Sequence, residues 1–382
     1  MSEFIRSAIL RPAAECVIVI FFAFLAWWFY LHFAITASSD ALQLWGATYQ
    51  VIAWFGAIAG LLISRRWGGY KSLVGRAILA FSLGLFFQCF GQITYSSYVY
   101  FLRIPIPYPS VGDIGFFGSI PFYAYGAYLL ARVSGARVSL RSYHQQMLAV
   151  LIPLLMLWSS YAFFLRGYDF DWTQPLKIFL DFGYPLGQAG YVSIAILAYF
   201  FSRNTLGGLM RKPILTFIAA LVMQYLCDFT FLYQANQGTY YSGNINDVMY
   251  ATSYLLMTLA LLYIGVMYKT IQASYPQTAA RALVETSVAI FNQIASRIVS
   301  EQALVIGPLA WSEAQKVEGL RILDQQKGEV TISSDDPKNA VDQLVAQYER
   351  LFGRASHDVC KQAVAGIISG LSPNEIPASL LA

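Results

Sequence analysis

The chain has 382 residues, of which 57 % are hydrophobic and only 12 % are charged, and its mean hydropathy is +0.52. A soluble domain carries roughly twice this share of charge, so the composition excludes an ordinary soluble protein and predicts an integral membrane protein. The net charge of +4 arises in the first 268 residues and gives no indication of nucleic-acid binding.

The four cysteines are far apart in the chain, and they form no C-x-x-C pair. This spacing predicts neither a zinc site nor a disulfide framework. The apolar run after Arg11 is too long for the core of a cleavable signal peptide, so we expect the first hydrophobic segment to stay in the protein. The cysteines are Cys16, Cys89, Cys227 and Cys360.

Eight apolar runs are long enough for transmembrane helices, which need about twenty residues each. We therefore predict an α-helical integral membrane protein in which residues 1–270 form an eight-helix membrane domain. The predicted spans cover residues 13–36, 44–64, 74–99, 114–133, 146–165, 176–201, 213–233 and 247–268.

The basic residues of the connecting loops predict the orientation of these spans. Twelve of the fifteen Lys and Arg residues in the first 268 positions fall on alternate loops, and only Arg103, Arg166 and Lys177 fall on the others. We therefore expect a multi-pass protein of the cell membrane with both termini in the cytoplasm.

The acidic residues of the predicted membrane domain lie toward the outer ends of its spans, together with several glutamines. Gln224 and Asp228 are four residues apart, and so are Gln88 and Gln92, so each pair shares one helical face. A carboxylate inside hydrocarbon normally faces a partner or a water-filled cavity. We predict an outward-facing polar cavity that binds a small ligand or cation and is lined by spans 3, 4, 6, 7 and 8. Its candidate residues are Asp113, Asp181, Asp228, Asp247, Gln88, Gln92, Gln188 and Gln224.

A structural interpretation competes with this one at each position. Asp113 and Asp247 lie where helices are expected to begin, and either can serve as a helix cap. Asp228 lies within its span and cannot be a cap, so the alternative for it is a structural hydrogen bond between helices. Among the four acids, Asp228 is therefore the strongest functional candidate.

The segment from Pro107 to Pro121 has a recognisable pattern, P-x-P-S-x-x-D followed by aromatic residues and a second proline. The pattern resembles multi-spanning bacterial membrane sensor regions that precede GGDEF and EAL diguanylate cyclase domains and histidine kinases. In those regions Ala is usual where Gly112 stands here. The stretches around Asp181, Asp228 and Asp247 are similar to later acidic motifs of the same regions.

The resemblance implies a sensor-like membrane domain, but the expected catalytic output is missing. After Lys269 there is no G-G-D-E-F, no E-x-L and no histidine kinase phosphoacceptor with a glycine-rich ATP-binding box. A P-loop and a dinucleotide fingerprint are also absent from this region. We therefore predict no enzymatic activity and no metal site, and the sequence identifies neither a cofactor nor the ligand.

Residues 271–303 predict an amphipathic helix that connects the membrane domain to the rest of the chain. Its apolar positions recur with 4,3,4,3 spacing. Two interpretations are open: a short helix that mediates a homodimer through residues 278–303, or one face of a small core. The positions are Val284, Val288, Phe291, Ala295 and Ile298.

Residues 304–382 predict a small, mainly α cytoplasmic domain. Apolar pairs on both sides of Gly328 indicate a β-hairpin. Ser334 with Asp335, Asp336 and Pro337 predicts a helix start, and Gly353 its end. A further helix is expected to be capped by Ser356.

The sequence thus predicts a membrane-integral sensor. An outer polar cavity detects a small ligand, an ion or the membrane state, and a cytoplasmic signalling protein binds the C-terminal domain. The expected partners are the lipid bilayer and this signalling protein, not nucleic acid. The alternative is a transporter or channel that uses the acidic cavity, although that class predicts internal repeats and none is apparent between the first and last four spans.

Overall fold

Helices make up 79 % of the computed structural model. It describes residues 11–34, 38–134, 143–202, 207–273, 287–334, 336–373 and 375–381. Among these residues, eight helices are long and apolar enough to cross a membrane, which agrees with the predicted number of spans. They cover Pro12–Ala34, Ser39–Arg66, Leu73–Leu102, Val111–Val133, Tyr143–Leu165, Pro175–Ser202, Arg211–Ala235 and Ile245–Met267.

Every span differs from its predicted bounds by one to five residues at one end or both, and in two spans the structure shows the reason. The second begins at Ser39, five residues before the predicted start, because Ser38 caps an additional short helix. The third runs to Leu102 through a π-helical turn. In the described part of the membrane domain the α-helices are α1 (Arg11–Phe29), α2 (Ser39–Thr48), α3 (Val51–Arg66), α4 (Leu73–Ser97), α5 (Val111–Val133), α6 (Tyr143–Ser160), α7 (Pro175–Ser202), α8 (Arg211–Asn236) and α9 (Ile245–Ala273).

The helix α4 lies at the centre of the bundle, and α1 and α6 lie at its edges. The most apolar window is 67 % buried in the span of α4 but only 17 % buried in those of α1 and α6. Glycines permit the close packing of α4 against α5, since a methyl group at Gly115 would lie 2.5 Å from the carbonyl oxygen of Phe87. The exposed apolar surface of the edge helices is what lipid-facing helices require.

The C-terminal domain, residues 287–381, packs five helices and one β-hairpin around an apolar core. Strand β1 pairs antiparallel with β2, with Ile322 opposite Val330, and Gly328 takes a left-handed φ of 74° in the turn. The predicted hairpin is therefore confirmed. The elements are α10 (Ser287–Ile306), α11 (Leu309–Ala314), β1 (Leu320–Asp324), β2 (Glu329–Ile332), α12 (Pro337–Phe352), α13 (Arg354–Ile368) and α14 (Ala378–Leu381).

The apolar positions of α10 are used within the domain. Phe291, Ala295 and Ile298 are 7 %, 0 % and 0 % exposed, which supports the core interpretation of the predicted connecting helix. Val284 lies outside the described residues, as does the side chain of Val288, and the homodimer stays a prediction.

One predicted cap is wrong. Asp336 caps α12, Pro337 occupies its first turn, and Gly353 ends it, as expected. The next helix, α13, however, begins at Arg354 directly after Gly353. Ser356 therefore lies inside the first turn of α13, and its side chain caps nothing. The left-handed φ of 65° at Gly353 allows the chain to turn without a separate capping loop.

The C-terminal domain docks on one end of the membrane domain, on the segments Trp67–Ser72 and Gly207–Met210, which we call the docking loops. The backbone N–H of Met210 donates a hydrogen bond to the carbonyl of Val305 over 3.1 Å. Gly353 is so close to the carbonyl of Trp67 that a methyl group there would overlap it. The four aspartates of the predicted site lie on helices, toward the opposite end of the bundle.

Candidate functional site

The four aspartates predicted for the site share one structural feature: each accepts a hydrogen bond from at least one tyrosine hydroxyl. No Lys, Arg or His among the described residues lies within ion-pair distance of any of them. Phenol hydroxyls thus supply the donors that a buried carboxylate requires. We call this set the aspartate–tyrosine network; its aspartates are Asp113, Asp181, Asp228 and Asp247.

Asp113 has the predicted capping role and a second contact. Its carboxylate accepts the backbone N–H of Ser110 over 2.7 Å, and the Ser110 side chain accepts in turn from the backbone of Gly112. This arrangement is a capping box at the start of α5. The second carboxylate oxygen accepts from the Tyr184 hydroxyl over 2.8 Å. The N-terminal cap of α5 is thereby hydrogen-bonded to α7.

Asp181 accepts two short hydrogen bonds near the start of α7. The hydroxyls of Tyr108 and Tyr168 each donate to it over 2.6 Å. The bond to Asp181 raises the pKa of Tyr168 to about 12. Burial, with the same carboxylate, also raises the pKa of Tyr108. The loop before α5, which contains Tyr108, and the loop before α7, which contains Tyr168, are therefore both hydrogen-bonded to one carboxylate.

Asp247 fixes the loop that leads into α9. One carboxylate oxygen accepts the backbone N–H of Gly243 over 2.6 Å, and the other accepts from the Tyr240 hydroxyl over 3.1 Å. Asn244 accepts from the backbone of Asn246 and occupies the capping position itself. Asp247 is therefore not the capping residue of α9 itself. It bonds the backbone of Gly243, the residue before the capping residue Asn244.

Asp228 lies farther from the end of its helix than the other three aspartates, and its partners come from three helices. It is about 12 Å along α8 from Asn236, at 1.5 Å per residue, and is 8 % exposed. Its oxygens accept from Tyr250 on α9 over 2.8 Å, from Gln224 on α8 over 3.1 Å and from Tyr191 on α7 over 3.2 Å. Asp228 therefore connects α7, α8 and α9 at one point.

The bond between Gln224 and Asp228 agrees with their predicted position on one helical face. The Gln224 carbonyl oxygen also accepts from Ser253 over 2.9 Å, which extends the contact between α8 and α9. The network therefore continues beyond Asp228 toward the middle of α8 and α9.

The other glutamines bridge different helices. Gln88 donates to the Ser119 hydroxyl over 2.8 Å and accepts from Tyr254 over 3.3 Å, which joins α4 to α5 and α9. Gln92 donates to the carbonyl of Gly46 over 3.0 Å. Gln188 is 5 % exposed on the face of α7 between Tyr184 and Tyr191. Most of the predicted site residues thus join helices.

The tyrosine partners are the part of the site that sequence reasoning missed. Tyr191 and Tyr254, for example, are only 1 % and 2 % exposed. A signal was available on α7. Asp181, Tyr184, Gln188 and Tyr191 follow one another at spacings of three, four and three, which places all four on one helical face.

The cavities defined by the structure lie elsewhere. One has apolar walls, which include Ile78, Leu130 and Phe217, and offers about 10 Å³, roughly the space of a single water molecule. The other lies between Trp67 and the C-terminal domain. Neither is lined by a predicted site residue, so the open outer cavity stays a prediction. The described residues contain no group of three metal-ligating side chains.

No protein-family model, curated protein or solved structure gives a significant match to this chain.

Proposed function

We propose that this multi-pass membrane protein is a sensor. The aspartate–tyrosine network responds to a small ligand, an ion or the state of the membrane, and the bundle relays the response to the docked C-terminal domain. The main support is the position of Asp228, whose carboxylate joins α7, α8 and α9. A change in the hydrogen bonds of this one residue shifts three helices together.

The helix α9 offers a direct route for the relay. Its outer end carries Asp247 and Tyr250, and its other end contacts α13 of the C-terminal domain. In the middle, Thr258 donates to the carbonyl of Ile52 on α3 over 3.2 Å. A rigid helix with contacts at both ends transmits displacement along its axis.

The alternation of basic residues supports an orientation in which the docking loops and the C-terminal domain face the cytoplasm. There the C-terminal domain binds a cytoplasmic signalling protein in this proposal. The resemblance to sensor regions of diguanylate cyclases and histidine kinases favours such a partner, because the chain lacks their catalytic motifs. Localisation in the cell membrane belongs to the same proposal.

The alternative function is transport through the acidic region. It has less support, because the carboxylates already accept hydrogen bonds from neighbouring side chains and the defined cavities lie away from them. A transporter also places its substrate site at broken helices near the membrane centre.

The two functions are separated by hydrogen–deuterium exchange and ion flux on the full-length protein. In lipid nanodiscs, Asp228→Asn should change the exchange of Trp67–Ser72 and Gly207–Met210, whereas Tyr263→Phe, at a 44 % exposed position on α9, should not. A change confined to the opposite end of the bundle would contradict the relay. In proteoliposomes, sodium, potassium or proton flux that requires Asp228 would favour transport.

A further inference from the structure

The docking contact is centred on Trp67, which is 1 % exposed although it lies in a loop. Its side chain packs between α10 and α13, so that the C-terminal domain covers the end of α3. The residues that line the narrow space beside it are Gln302, Val305, Phe352, Ala355, Ser356 and Val359.

Two polar atoms in this contact have no hydrogen-bond partner among the described residues: the Oε1 atom of Gln302 and the Oγ atom of Ser356. Gln302 is 0 % exposed and Ser356 is 3 % exposed. The amide nitrogen of Gln302 donates to the Ser356 carbonyl over 2.8 Å and to the Cys360 sulfur over 3.2 Å, which fixes the direction of the amide. The space between these residues is too small to admit a water molecule.

A buried polar atom without a partner disfavours the state that buries it, because water would satisfy the atom in the open state. Both atoms belong to the C-terminal domain, and both lie where it meets Trp67. Docking therefore carries an unfavourable contribution that separation of the two domains removes.

The edge of the interface consists of close backbone contacts at glycines. Gly207 packs against Gly307, and Gly208 lies near the carbonyl of Val305 with a left-handed φ of 61°. Glycines let two backbones meet without interlocking side chains.

We propose that the docking contact is a releasable latch. When the C-terminal domain leaves the docking loops, water reaches Gln302 and Ser356, and the face of α10 and α13 that covered Trp67 becomes exposed. This goes beyond the proposed function, since it identifies the contact that opens, whatever the outer network detects.

The latch is tested by thiol labelling of the full-length protein in nanodiscs. Cys16 is the exposed native cysteine and is replaced in a Cys16→Ser background. The reporter Val305→Cys lies in the contact, whereas Val330→Cys, 3 % exposed, lies in the hairpin inside the C-terminal domain. We expect maleimide to label position 305 faster than position 330, with mass spectrometry identifying the site. Equal rates would show that the domain opens only by unfolding and would overturn the latch.

A second variant tests the cause of the release. Ser356→Ala removes one unsatisfied atom and should slow the labelling of Val305→Cys about tenfold. The control Ser369→Ala, whose hydroxyl bonds the Gly366 carbonyl at the surface, should leave the rate unchanged. Faster or unchanged labelling in Ser356→Ala would overturn the assignment. Because none of these variants touches the aspartate–tyrosine network, failure here is distinct from failure of the sensor proposal.

Discussion

The hydroxyl of Tyr250 on α9 donates a hydrogen bond to the carboxylate of Asp228 on α8 over 2.8 Å. Asp228 is buried and Tyr250 is half-buried in the bundle, and no cation among the described residues pairs with the carboxylate. The bond therefore couples two membrane helices through a group that hydrocarbon disfavours when it is unpaired.

Removal of this hydroxyl should destabilise the protein. We expect Tyr250→Phe to lower the free energy of unfolding by about 1 kcal/mol, the typical size of such a bond between membrane helices. Tyr263→Phe on the same helix is the matched control, because Tyr263 is 44 % exposed. Unfolding in SDS titrations, followed by circular dichroism, measures both. Equal stability of the two variants would contradict a structural contribution of the bond.

The packing of α4 against α5 predicts opposite outcomes for two helical glycines. Alanine at Gly115 would place a methyl group 2.5 Å from the Phe87 carbonyl oxygen, whereas Gly190 on α7 has no neighbour within 4 Å. Gly115→Ala should lower the free energy of unfolding by about 2 kcal/mol because the two backbones must separate. Gly190→Ala should leave it unchanged or raise it by up to about 1 kcal/mol. The same SDS titration measures both variants. An unchanged free energy of unfolding in Gly115→Ala would argue against the packing of α4 against α5.

A comparison of alanine variants at two glycines with nearly the same backbone conformation distinguishes backbone strain from loss of contact at the docking loops. Gly208 and Gly238 have φ values of 61° and 63°, but only Gly208 has neighbours, with the Val305 carbonyl oxygen 2.6 Å from a methyl group placed there. Both alanine variants should cost about 1 kcal/mol in backbone strain. Only Gly208→Ala should speed the labelling of Val305→Cys. Similar labelling of both variants would mean that Gly208 does not hold the interface.

The outer loops should show a distinct alkaline titration. The bond to Asp181 raises the pKa of Tyr168 to about 12, above the usual value of about 10. Since the folded-state pKa is raised, the bond contributes its full stabilisation below about pH 10 and loses it as the pH rises through about 12. The difference in absorbance between the wild type and Tyr168→Phe, followed as the pH rises, measures the ionisation of Tyr168. Asp181→Asn should shift the titration down, and a Tyr168 that titrates normally in the wild type would contradict the bond.

The sequence predicts the membrane architecture well because its signals are local. Runs of about twenty apolar residues mark the spans, and the four-residue spacing of Gln224 and Asp228 places them on one helical face. The same holds for the hairpin around Gly328 and for the end of α12 at Gly353.

The remaining features depend on distant partners. Tyr191 is 37 residues from Asp228 in the chain, and Tyr184 is 71 residues from Asp113, so no local spacing relates them. The Ser356 cap was wrong because the left-handed Gly353 begins α13 earlier. The contact of Trp67 with α10 and α13 depends on the packing of two domains, which a single sequence does not reveal.

The central claim is that the network around Asp228 controls the docking of the C-terminal domain. The most direct measurement is the labelling rate of Val305→Cys in full-length Asp228→Asn, in nanodiscs, beside the Tyr263→Phe control. If the network and the latch are coupled, the rate in Asp228→Asn changes severalfold, by the usual size of coupling between sites, while Val330→Cys stays protected. A folded Asp228→Asn protein that labels at the rate of the control would contradict the claim.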